Sequence, residues 1–489
     1  MIRTSIPSWL VAIASVTAAS NAFAATYQVG PSKPFHQISD VAGQLQPGDI
    51  VEIDGDATYS SVSLSKNGTA QAKITIRGIS RNGKRPTISG GTNTIAVHGS
   101  HYVLEGLDIT GGGMRCIFHH ADDVTVRNTV VHDCPAQGIL GADTGSGSLT
   151  LEQVEVYHSG QGDRKHQIYV ATDEEMYPNA VFRMQNCYVH DGNGGNNVKS
   201  RAGRNEIYSN WIEGAMYHEL ELIGSEEFSE GILREDSDVV GNVLRKTQGG
   251  FVARIGGDGT GETNGRYRFV NNTFIANGTT KNMFRLFDGL ESVELHNNVF
   301  TGAGSWTLFR DAEVKWARGH AIMGGSNNWV PSGKQTPSQW TNTKTGNDPG
   351  FVNASAFDYT PAQGSVLRNT GDEATKSPAE APFPNPLALP LYSPPARTIE
   401  APHMRANDGA IDIGAIEVGS GVIPKRAFIA NNEDGDVQES EAALMDAESS
   451  EEGLACSMSP GSSRNLGLPS VFAGLAALVV MRRRKRALR

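Results

Sequence analysis

Cysteine is scarce in this chain, and its spacing excludes the common zinc sites. The 489 residues contain four cysteines, Cys116, Cys134, Cys187 and Cys456, and none of them belongs to a C-x₂-C pair. Cys116 and Cys134 lie about one repeat of the chain apart. A disulfide formed in an oxidising compartment and two buried free thiols are therefore both compatible with the sequence.

Two further absences narrow the class of protein. No apolar run in the central part of the chain keeps the 3.6-residue period of an amphipathic helix over a useful length, which argues against long helices. No basic run lies there either, which argues against nucleic acid as the partner. The formal net charge is −11, but much of it lies in a late acidic segment and says little about the folded part.

The central part of the chain has instead a repeated pattern of short strands and turns. Residues 166–310 contain runs with alternating apolar side chains, each followed by a polar turn and a second run centred on asparagine. These asparagines recur roughly every 24 to 32 residues. Because each unit buries its apolar face only against the next, the pattern predicts an all-β parallel β-helix. We expect the recurring asparagines to stack as an amide ladder: Asn186, Asn210, Asn242, Asn272 and Asn298.

The N-terminal part of the chain predicts an export signal and a cap. A basic residue, an apolar run and the sequence AFA are typical of a secretory signal peptide over residues 1–24. Residues 25–99 then form the N-terminal cap and first coils. Within them, residues 38–45 are amphipathic and predict a helix that covers the open end of the stack. The regular coils follow at residues 100–325.

The C-terminal part predicts three segments: the last coils and finish of the β-helix at residues 326–419, an acidic disordered spacer at 420–465, and a hydrophobic anchor with a basic end at 466–489. Spacer, Cys456, apolar run and arginine cluster resemble the sorting tails of some bacterial surface proteins, including the myxobacterial type. A plain tail anchor is the alternative. Both interpretations place the protein at the cell envelope or cell surface, attached to the membrane through this tail.

Alternate residues of the short runs predict one inner and one outer face. The expected inner set is Ile168, Val198, Ser200, Leu220, Leu222, Ala253, Ile255, Phe284 and Leu286. Arg201 and Glu219 are expected on the outer face. With coils about 4.8 Å apart, we also expect an outer column roughly 20 Å long: Tyr169, Lys199, Glu221, Arg254 and Arg285. Cations dominate it, as an anionic polysaccharide would require. The alternative is a solvated face on which Lys199 and Glu221 merely pair.

The end of the predicted β-helix carries a specific resemblance. Residues 347–417 contain NDPGF, DYTPAQGS and DIGAIE. This succession resembles the C-terminal finish of bacterial secreted right-handed parallel β-helix proteins of the pectate-lyase-like superfamily. The resemblance covers roughly residues 26–419 and implies the fold. It does not imply one activity, because lyases, hydrolases, epimerases and non-catalytic adhesins share this scaffold.

A segment within the repeats also resembles a lyase family. NNVKSRAGRNEIYSN, residues 196–210, is similar to the Lys-Ser and Asn segment of β-helix lyases of the alginate lyase and chondroitinase B type. In that family the lysine is the catalytic base, which implies that role for Lys199. The sequence departs from the family at two points. Residues 192–197 lack the carboxylates that bind calcium there, and the family's arginine is absent from the next coil, so the nearest is Arg254, a coil further.

Together these residues predict a lyase that cleaves a uronic acid polysaccharide by β-elimination. Arg254, or a calcium ion held by Glu219 and Glu221, would neutralise the sugar carboxylate and acidify the adjacent C–H bond. Lys199 would remove that proton. The remaining predicted roles are protonation of the leaving oxygen by Tyr169 or His166 and substrate binding by Arg201, Arg285 and Glu221.

Two other functions would use the same surface. A non-catalytic carbohydrate-binding, adhesion or matrix protein would use the column only to hold its ligand. A glycoside hydrolase needs two facing carboxylates, and Glu219 and Glu221 would lie about 7 Å apart along one strand. In each case the expected partner is an acidic polysaccharide, and the chain is expected to act as a monomer.

Overall fold

The computed structural model describes residues 24–224, 235–258, 263–310, 314–399, 401–406 and 409–419. Within these ranges the chain is a parallel β-solenoid with very little helix, which confirms the predicted all-β fold. Nearly all of the predicted signal peptide, and the whole of the predicted spacer and anchor, lie outside the described ranges. None of the helices in those ranges is long and apolar enough to cross a membrane.

One sheet of the solenoid, called the site sheet below, takes one strand from each of ten successive coils. Neighbouring strands in it are parallel, as expected when each coil stacks on the one before. Its strands are Val62–Leu64, Asn93–Val97, Arg115–His119, Gln137–Gly141, Ile168–Ala171, Val198–Arg201, Leu220–Ile223, Gly250–Gly256, Thr280–Leu286 and Thr307–Arg310.

Two further lines of strands complete the coils. They merge into one 22-stranded sheet because Val124–His132 and Leu149–Tyr157 run through both lines. The other strands of the second line are Thr26–Val29, Ile50–Asp54, Ile74–Ile79, Tyr102–Glu105, Phe182–Gln185, Arg204–Tyr208, Asp236–Val240, Arg266–Val270, Ser292–His296 and Met323–Ser326. Those of the third line are Thr58–Ser60, Thr87–Ser89, Asp108–Thr110, Tyr188–His190, Trp211–Glu213, Val243–Arg245, Thr273–Ala276, Val299–Gly302, Trp329–Pro331 and Lys344–Gly346.

The interior of the solenoid holds the residues that the alternating pattern assigned to it. Every member of the predicted inner set on the site sheet is buried. Each large apolar side chain among them contributes about 1.5–3 kcal/mol by leaving water. Ser200 is the polar member, and its hydroxyl lies 2.5 Å from the side-chain oxygen of Asn205. The in-and-out alternation therefore fixes which side chains of each coil enter the core. It does not expose the others, since the outward-facing Tyr169, Glu221, Arg254 and Arg285 are buried as well and Lys199 is partly exposed.

An asparagine ladder is present, but its register differs from the prediction. Each side-chain amide donates to the side-chain oxygen of the next asparagine at 2.9–3.0 Å and to a main-chain carbonyl of an earlier coil. Asn186 is not a member, because Cys187 occupies the equivalent position and its main-chain N–H donates to Asn210. The stacked residues are Asn210, Asn242, Asn272, Asn298 and Asn328.

At three positions, the residue that precedes the ladder position binds the C-terminal segment instead of joining the ladder. Asn186, Asn271 and Asn297 adopt left-handed backbone conformations, which asparagine tolerates better than most residues. Their side-chain amides donate to the main chain of Ser393, Asp412 and Asp372 respectively, at 3.2, 2.8 and 2.9 Å. Instead of forming further coils, the C-terminal segment therefore packs along the outside of the third line.

This outer layer begins where the parallel coils stop. The last parallel strand is Lys344–Gly346, and the antiparallel pair Phe351–Asn353 and Asp358–Pro361 follows it. A one-turn 3₁₀ helix, Ala354–Ala356, connects the two strands of that pair. Beyond it, Tyr359, Ala415 and Ile416 pack against Tyr188, Trp211 and Val243 of the third line.

The N-terminal cap contains a single helical turn at Ser39–Ala42, shorter than the predicted helix at residues 38–45. Ile38, Val41 and Leu45 are buried and belong to the same apolar core as the coils. The predicted amphipathic stretch therefore contributes one apolar face to the core even though most of it is not helical.

Cys116 and Cys134 form a disulfide, which decides between the two alternatives left open by the sequence. Cys187 is a buried free thiol. Burial raises the pKa of that thiol to about 12, so it stays protonated and unreactive.

A carboxyl group lies in the interior immediately before the strand Asp236–Val240 of the second line. Glu235 is buried, and one of its oxygens accepts a hydrogen bond from the Tyr267 hydroxyl at 2.7 Å. The other oxygen lies 3.2 Å from the Ser237 hydroxyl and 3.4 Å from the Asn205 side-chain nitrogen. Burial outweighs these hydrogen bonds and raises the pKa of Glu235 to about 8.

The raised pKa predicts a pH-dependent stability. Folded protein keeps the Glu235 proton over a range, from about 4.5 to 8, in which the unfolded chain has lost it. The free energy of unfolding should therefore fall as the pH rises through this range, by up to about 1.4 kcal/mol per pH unit. Glu235→Gln keeps a neutral side chain of the same shape and should remove this part of the slope. Urea denaturation of both proteins at several pH values measures it, and equal slopes would contradict the assignment.

Candidate functional site

Five residues predicted from the sequence form one row on the outer face of the site sheet, called the charged row below. Strand register places each directly beside the next. At about 4.8 Å per strand the row spans roughly 20 Å, as expected. In order along the solenoid, the residues are Tyr169, Lys199, Glu221, Arg254 and Arg285.

A second row of side chains, called the histidine row, lies three positions earlier in each coil. It includes His166, Asn196, His218 and Phe251, the first residues of HQIY, NNVK, HELE and FVAR. The His166 ring lies 5.7 Å from the Tyr169 ring, and the His218 ring 5.7 Å from the Phe251 ring. The candidate site is therefore two side chains wide.

Lys199 carries the most accessible polar group at the centre of the site. Its side chain is 13% exposed, against 1% for Glu221, and its Nζ lies 3.7 Å from Glu221 Oε2. The same ammonium lies 5.3 Å from the centroid of the Tyr169 ring. Arg254 Nη1 approaches Glu221 Oε1 to 2.8 Å, and Asn196 Nδ2 donates to Glu221 Oε2. Glu221 is thus bound more closely by Arg254 than by Lys199.

Glu221 is ionised despite its burial. Burial by itself would raise the pKa of this carboxyl, but the charges of Lys199 and Arg254 outweigh it and hold the pKa well below the ordinary range. A carboxylate in this state cannot donate a proton to a leaving group. This weakens the hydrolase interpretation, in which one carboxyl must act as a general acid.

His166 and His218 are neutral at physiological pH. Both are buried, and burial, aided by Lys199 near His166 and by Arg254 near His218, lowers the pKa of each imidazole to about 3. Nδ1 of His166 accepts a hydrogen bond from the main-chain N–H of Asn196 at 2.9 Å. The ring proton of His166 is therefore on Nε2, where it is available for donation.

Arg201 supports the site from within instead of facing the substrate. The residue is 2% exposed. Its Nε donates to the Tyr169 hydroxyl at 3.1 Å, Nη1 donates to the carbonyl of Gly224 at 2.8 Å, and Nη2 donates to Asp258. Arg201 is the last residue of its strand, so its side chain is drawn to the following turn. It orients the Tyr169 hydroxyl and does not lie on the surface as the sequence predicted.

The cationic end of the charged row is packed on aromatic rings. The guanidinium groups of Arg254 and Arg285 lie 4.0 and 4.5 Å from the centroid of the Phe287 ring. Arg285 also lies 5.4 Å from the Phe251 ring. These contacts hold two guanidinium groups side by side, and a pair of fixed guanidinium groups is suited to binding carboxylates.

Glu219 does not share a site with Glu221. Its carboxylate accepts from Asn197 Nδ2 at 2.7 Å and from the main-chain N–H of Ala215 at 3.1 Å, and it lies 3.5 Å from Lys246 Nζ. Glu219 and Lys246 are both fully buried. Burial raises the pKa of Glu219 to about 6, against the opposing charge of Lys246. The structure therefore places Glu219 in an internal ion pair, contrary to the expected outer position.

Calcium does not fit the two carboxylates predicted to bind it. Calcium needs six to eight oxygen ligands, whereas the Glu219 carboxylate is paired with Lys246 and the Glu221 carboxylate with Lys199 and Arg254. Within the described residues, no group of three or more histidine, cysteine, aspartate and glutamate side chains is arranged to hold a metal ion. No step involving calcium is therefore assigned to this site.

Sequence reasoning missed most of the histidine row. Asn196 and His218 were not assigned a role, although Asn196 binds Glu221 and its side-chain oxygen accepts from the main-chain N–H of His218 at 3.0 Å. A signal was present in the constant three-residue offset from the charged row in successive coils. Strict alternation did not predict the histidine row beside the charged row, because residues three apart in an ideal strand face opposite sides.

The sequence matches no family model and no curated protein. Among solved structures, pectate lyase Pel9A is 14% identical with a TM-score of 0.45, over 80% of this chain and 96% of that one. Alginate lyase from Paenibacillus sp. str. FPU-7 is 18% identical with a TM-score of 0.37, over 60% and 99%. The PL6 family polysaccharide lyase Pedsa3628 from Pseudopedobacter saltans is 12% identical with a TM-score of 0.37, over 65% and 92%. The likeness of this chain to these proteins is one of fold.

Proposed function

We propose that this protein is a lyase that cleaves a uronic-acid-containing polysaccharide by β-elimination. The observation that carries the proposal is the charged row, in which Lys199 is the most accessible predicted site residue and Arg254 and Arg285 lie beyond it in register. An anionic polymer laid along the row meets Lys199 on one strand and, beyond the strand of Glu221, Arg254 and Arg285 on the two strands that follow. The ionised Glu221 between them holds Lys199 and Arg254 in place.

In the proposed reaction Arg254 pairs with the carboxylate of a uronic acid unit, which acidifies the neighbouring C–H bond. Lys199 takes that proton through its neutral amine, which forms when the ammonium first loses a proton to solvent. The electron pair of the C–H bond forms a carbon–carbon double bond, and the glycosidic C–O bond at the adjacent carbon breaks. The products are an unsaturated sugar end and a leaving oxygen that needs a proton.

Two groups near Lys199 are placed to supply that proton. The Tyr169 hydroxyl is fixed by Arg201 Nε at 3.1 Å, and its ring lies beneath the Lys199 ammonium. The neutral His166 carries its proton on Nε2 and packs edge-on against Tyr169. We assign the general acid to Tyr169, with His166 behind it, because Tyr169 belongs to the charged row itself.

We also propose that the protein acts outside the cytoplasm. The disulfide between Cys116 and Cys134 supports this location, because such bonds persist mainly in oxidising compartments. We further propose that residues 466–489 retain the protein at the cell surface. Deletion of that segment tests this, because it should release the protein into the medium.

The test of the activity is a panel of acidic polysaccharides incubated with the purified protein. A lyase produces ultraviolet absorbance from unsaturated sugar ends, which we expect for at least one uronic acid polymer and for no neutral polymer. A hydrolase would produce new reducing ends without that absorbance, and a matrix or adhesion protein would bind without cleaving. Either of these outcomes would overturn the proposal.

A further inference from the structure

The outer row of the site sheet continues beyond Tyr169 towards the N-terminus with uncharged residues. Strand register places Leu140 beside Tyr169, Phe118 beside Leu140 and Ala96 beside Phe118. Leu140 is buried, whereas Phe118 is partly exposed. The charged row therefore adjoins an apolar stretch on the same face, with Phe118 three strands from Lys199, or about 14 Å.

Aromatic rings cluster around Phe118. The ring of His120 stacks on it with centroids 5.8 Å apart and planes 9° from parallel. His98 from the preceding coil meets both rings edge-on, with centroid distances of 5.9 Å to Phe118 and 5.6 Å to His120. His98 is exposed and His120 partly exposed, so the cluster offers ring surface to a ligand.

A cation beside this cluster lacks an acidic partner. The guanidinium of Arg115 lies 5.4 Å from the Phe118 ring centroid and has one long hydrogen bond, 3.4 Å, to Asn93. No carboxylate in the described part of the chain pairs with it, and its Nε is buried without an acceptor. Burial lowers the pKa of Arg115. Beside it in register, Gln137 likewise has a buried side-chain oxygen without a donor.

Arginines on the neighbouring coils are arranged differently. On the second line of strands, Arg77 and Arg127 both bind Glu105, the latter at 2.5 Å. Unpaired arginine is therefore not a general feature of these coils. A half-buried guanidinium with unused donors is costly unless an acceptor arrives from outside.

We infer that Arg115, Phe118 and His120 form a distal subsite for a uronic acid unit of the same polysaccharide chain that Lys199 cleaves. This inference rests on the proposed function. The apolar face of the sugar ring stacks on Phe118, and the sugar carboxylate takes two hydrogen bonds from Arg115. The intervening length, three strands, holds a short run of sugar units between the subsite and the cleaved bond. The subsite gives the protein a preference for long chains over short ones.

Kinetics on a size series of oligosaccharides from the cleaved polymer test the inference. In Arg115→Ala and Phe118→Ala, we expect the ratio of kcat/KM for long chains to kcat/KM for the shortest cleaved oligosaccharide to fall roughly 10-fold or more, as loss of one charge-assisted contact implies. Phe118→Trp keeps a ring and should retain most of the preference. Arg127→Ala, which removes a paired arginine from the neighbouring sheet, is the matched control and should keep the ratio of the unmodified protein.

Failure of this inference is distinguishable from failure of the proposed function. If cleavage occurs and the two alanine variants keep the full preference for long chains, the subsite is wrong while the lyase stands. If no polymer is cleaved, the lyase is wrong, and affinity electrophoresis in gels containing acidic polysaccharide still tests the subsite. Equal retardation of unmodified protein, Arg115→Ala and Phe118→Ala in those gels would then overturn it.

Discussion

Replacing Lys199 by alanine should lower the rate of polysaccharide cleavage by about 10²–10⁴-fold, the usual contribution of a positioned general base. Polymer binding should change little, because Arg254 and Arg285 remain on their aromatic supports. The measurement is the initial rate of ultraviolet absorbance from unsaturated ends, together with retardation of the variant in polysaccharide gels. Full activity in Lys199→Ala would place the base elsewhere.

Comparison of two Lys199 variants shows whether Lys199 acts as a catalytic base or only supplies a positive charge. Lys199→Arg keeps the positive charge beside Glu221 but cannot give up its proton near neutral pH, so it should be about as inactive as Lys199→Ala. Substantial activity in Lys199→Arg would show that only the charge matters. Arg285→Ala, at the far end of the row, should instead weaken binding by about 1–3 kcal/mol, the value of a charge-assisted hydrogen bond.

Replacing Lys246 by methionine should destabilise the protein by about 3–5 kcal/mol, because it leaves Glu219 buried without its cationic partner. The loss should be smaller at pH 5 than at pH 8, since Glu219 can take up a proton instead of carrying an uncompensated charge. Urea denaturation followed by circular dichroism measures both values. An unchanged stability would mean that the pair is not formed as described.

The double variant Glu219→Gln with Lys246→Met is the control for that loss. It removes both charges and keeps side chains of similar size, so it should recover most of the stability lost in Lys246→Met alone. Such recovery would assign Glu219 a structural role. If Glu219→Gln by itself instead abolished a calcium-dependent activity while stability was kept, the internal ion pair would not be its function.

The amino-acid sequence by itself determined the solenoid and the charged row. Alternating apolar residues decide which side chains of each strand enter the core, since burying them is favourable and burying their charged neighbours is not. Because every coil adds one strand to the site sheet, Tyr169, Lys199, Glu221, Arg254 and Arg285 had to fall into one line.

The alternating pattern did not predict where the side chains at strand ends lie. Glu219 and Arg201 are adjacent to turns, where the alternation ends and side chains turn towards partners supplied by other coils, Lys246 for Glu219 and Asp258 for Arg201. The asparagine ladder was displaced at Asn186 for a related reason. The residue before a ladder position is often another asparagine, because asparagine tolerates a left-handed backbone. Residue type alone therefore does not distinguish a ladder position from the position before it.

Only the tertiary structure decided the pairing of buried charges, the disulfide and the outer C-terminal layer. A buried ion is stable only beside a matching charge or a full set of hydrogen bonds, and those partners come from coils separated by turns of variable length. Repeat spacing can therefore place a residue on a coil and a face. It cannot say that Glu221 meets Arg254 at 2.8 Å while Arg115 meets no carboxylate in the described chain.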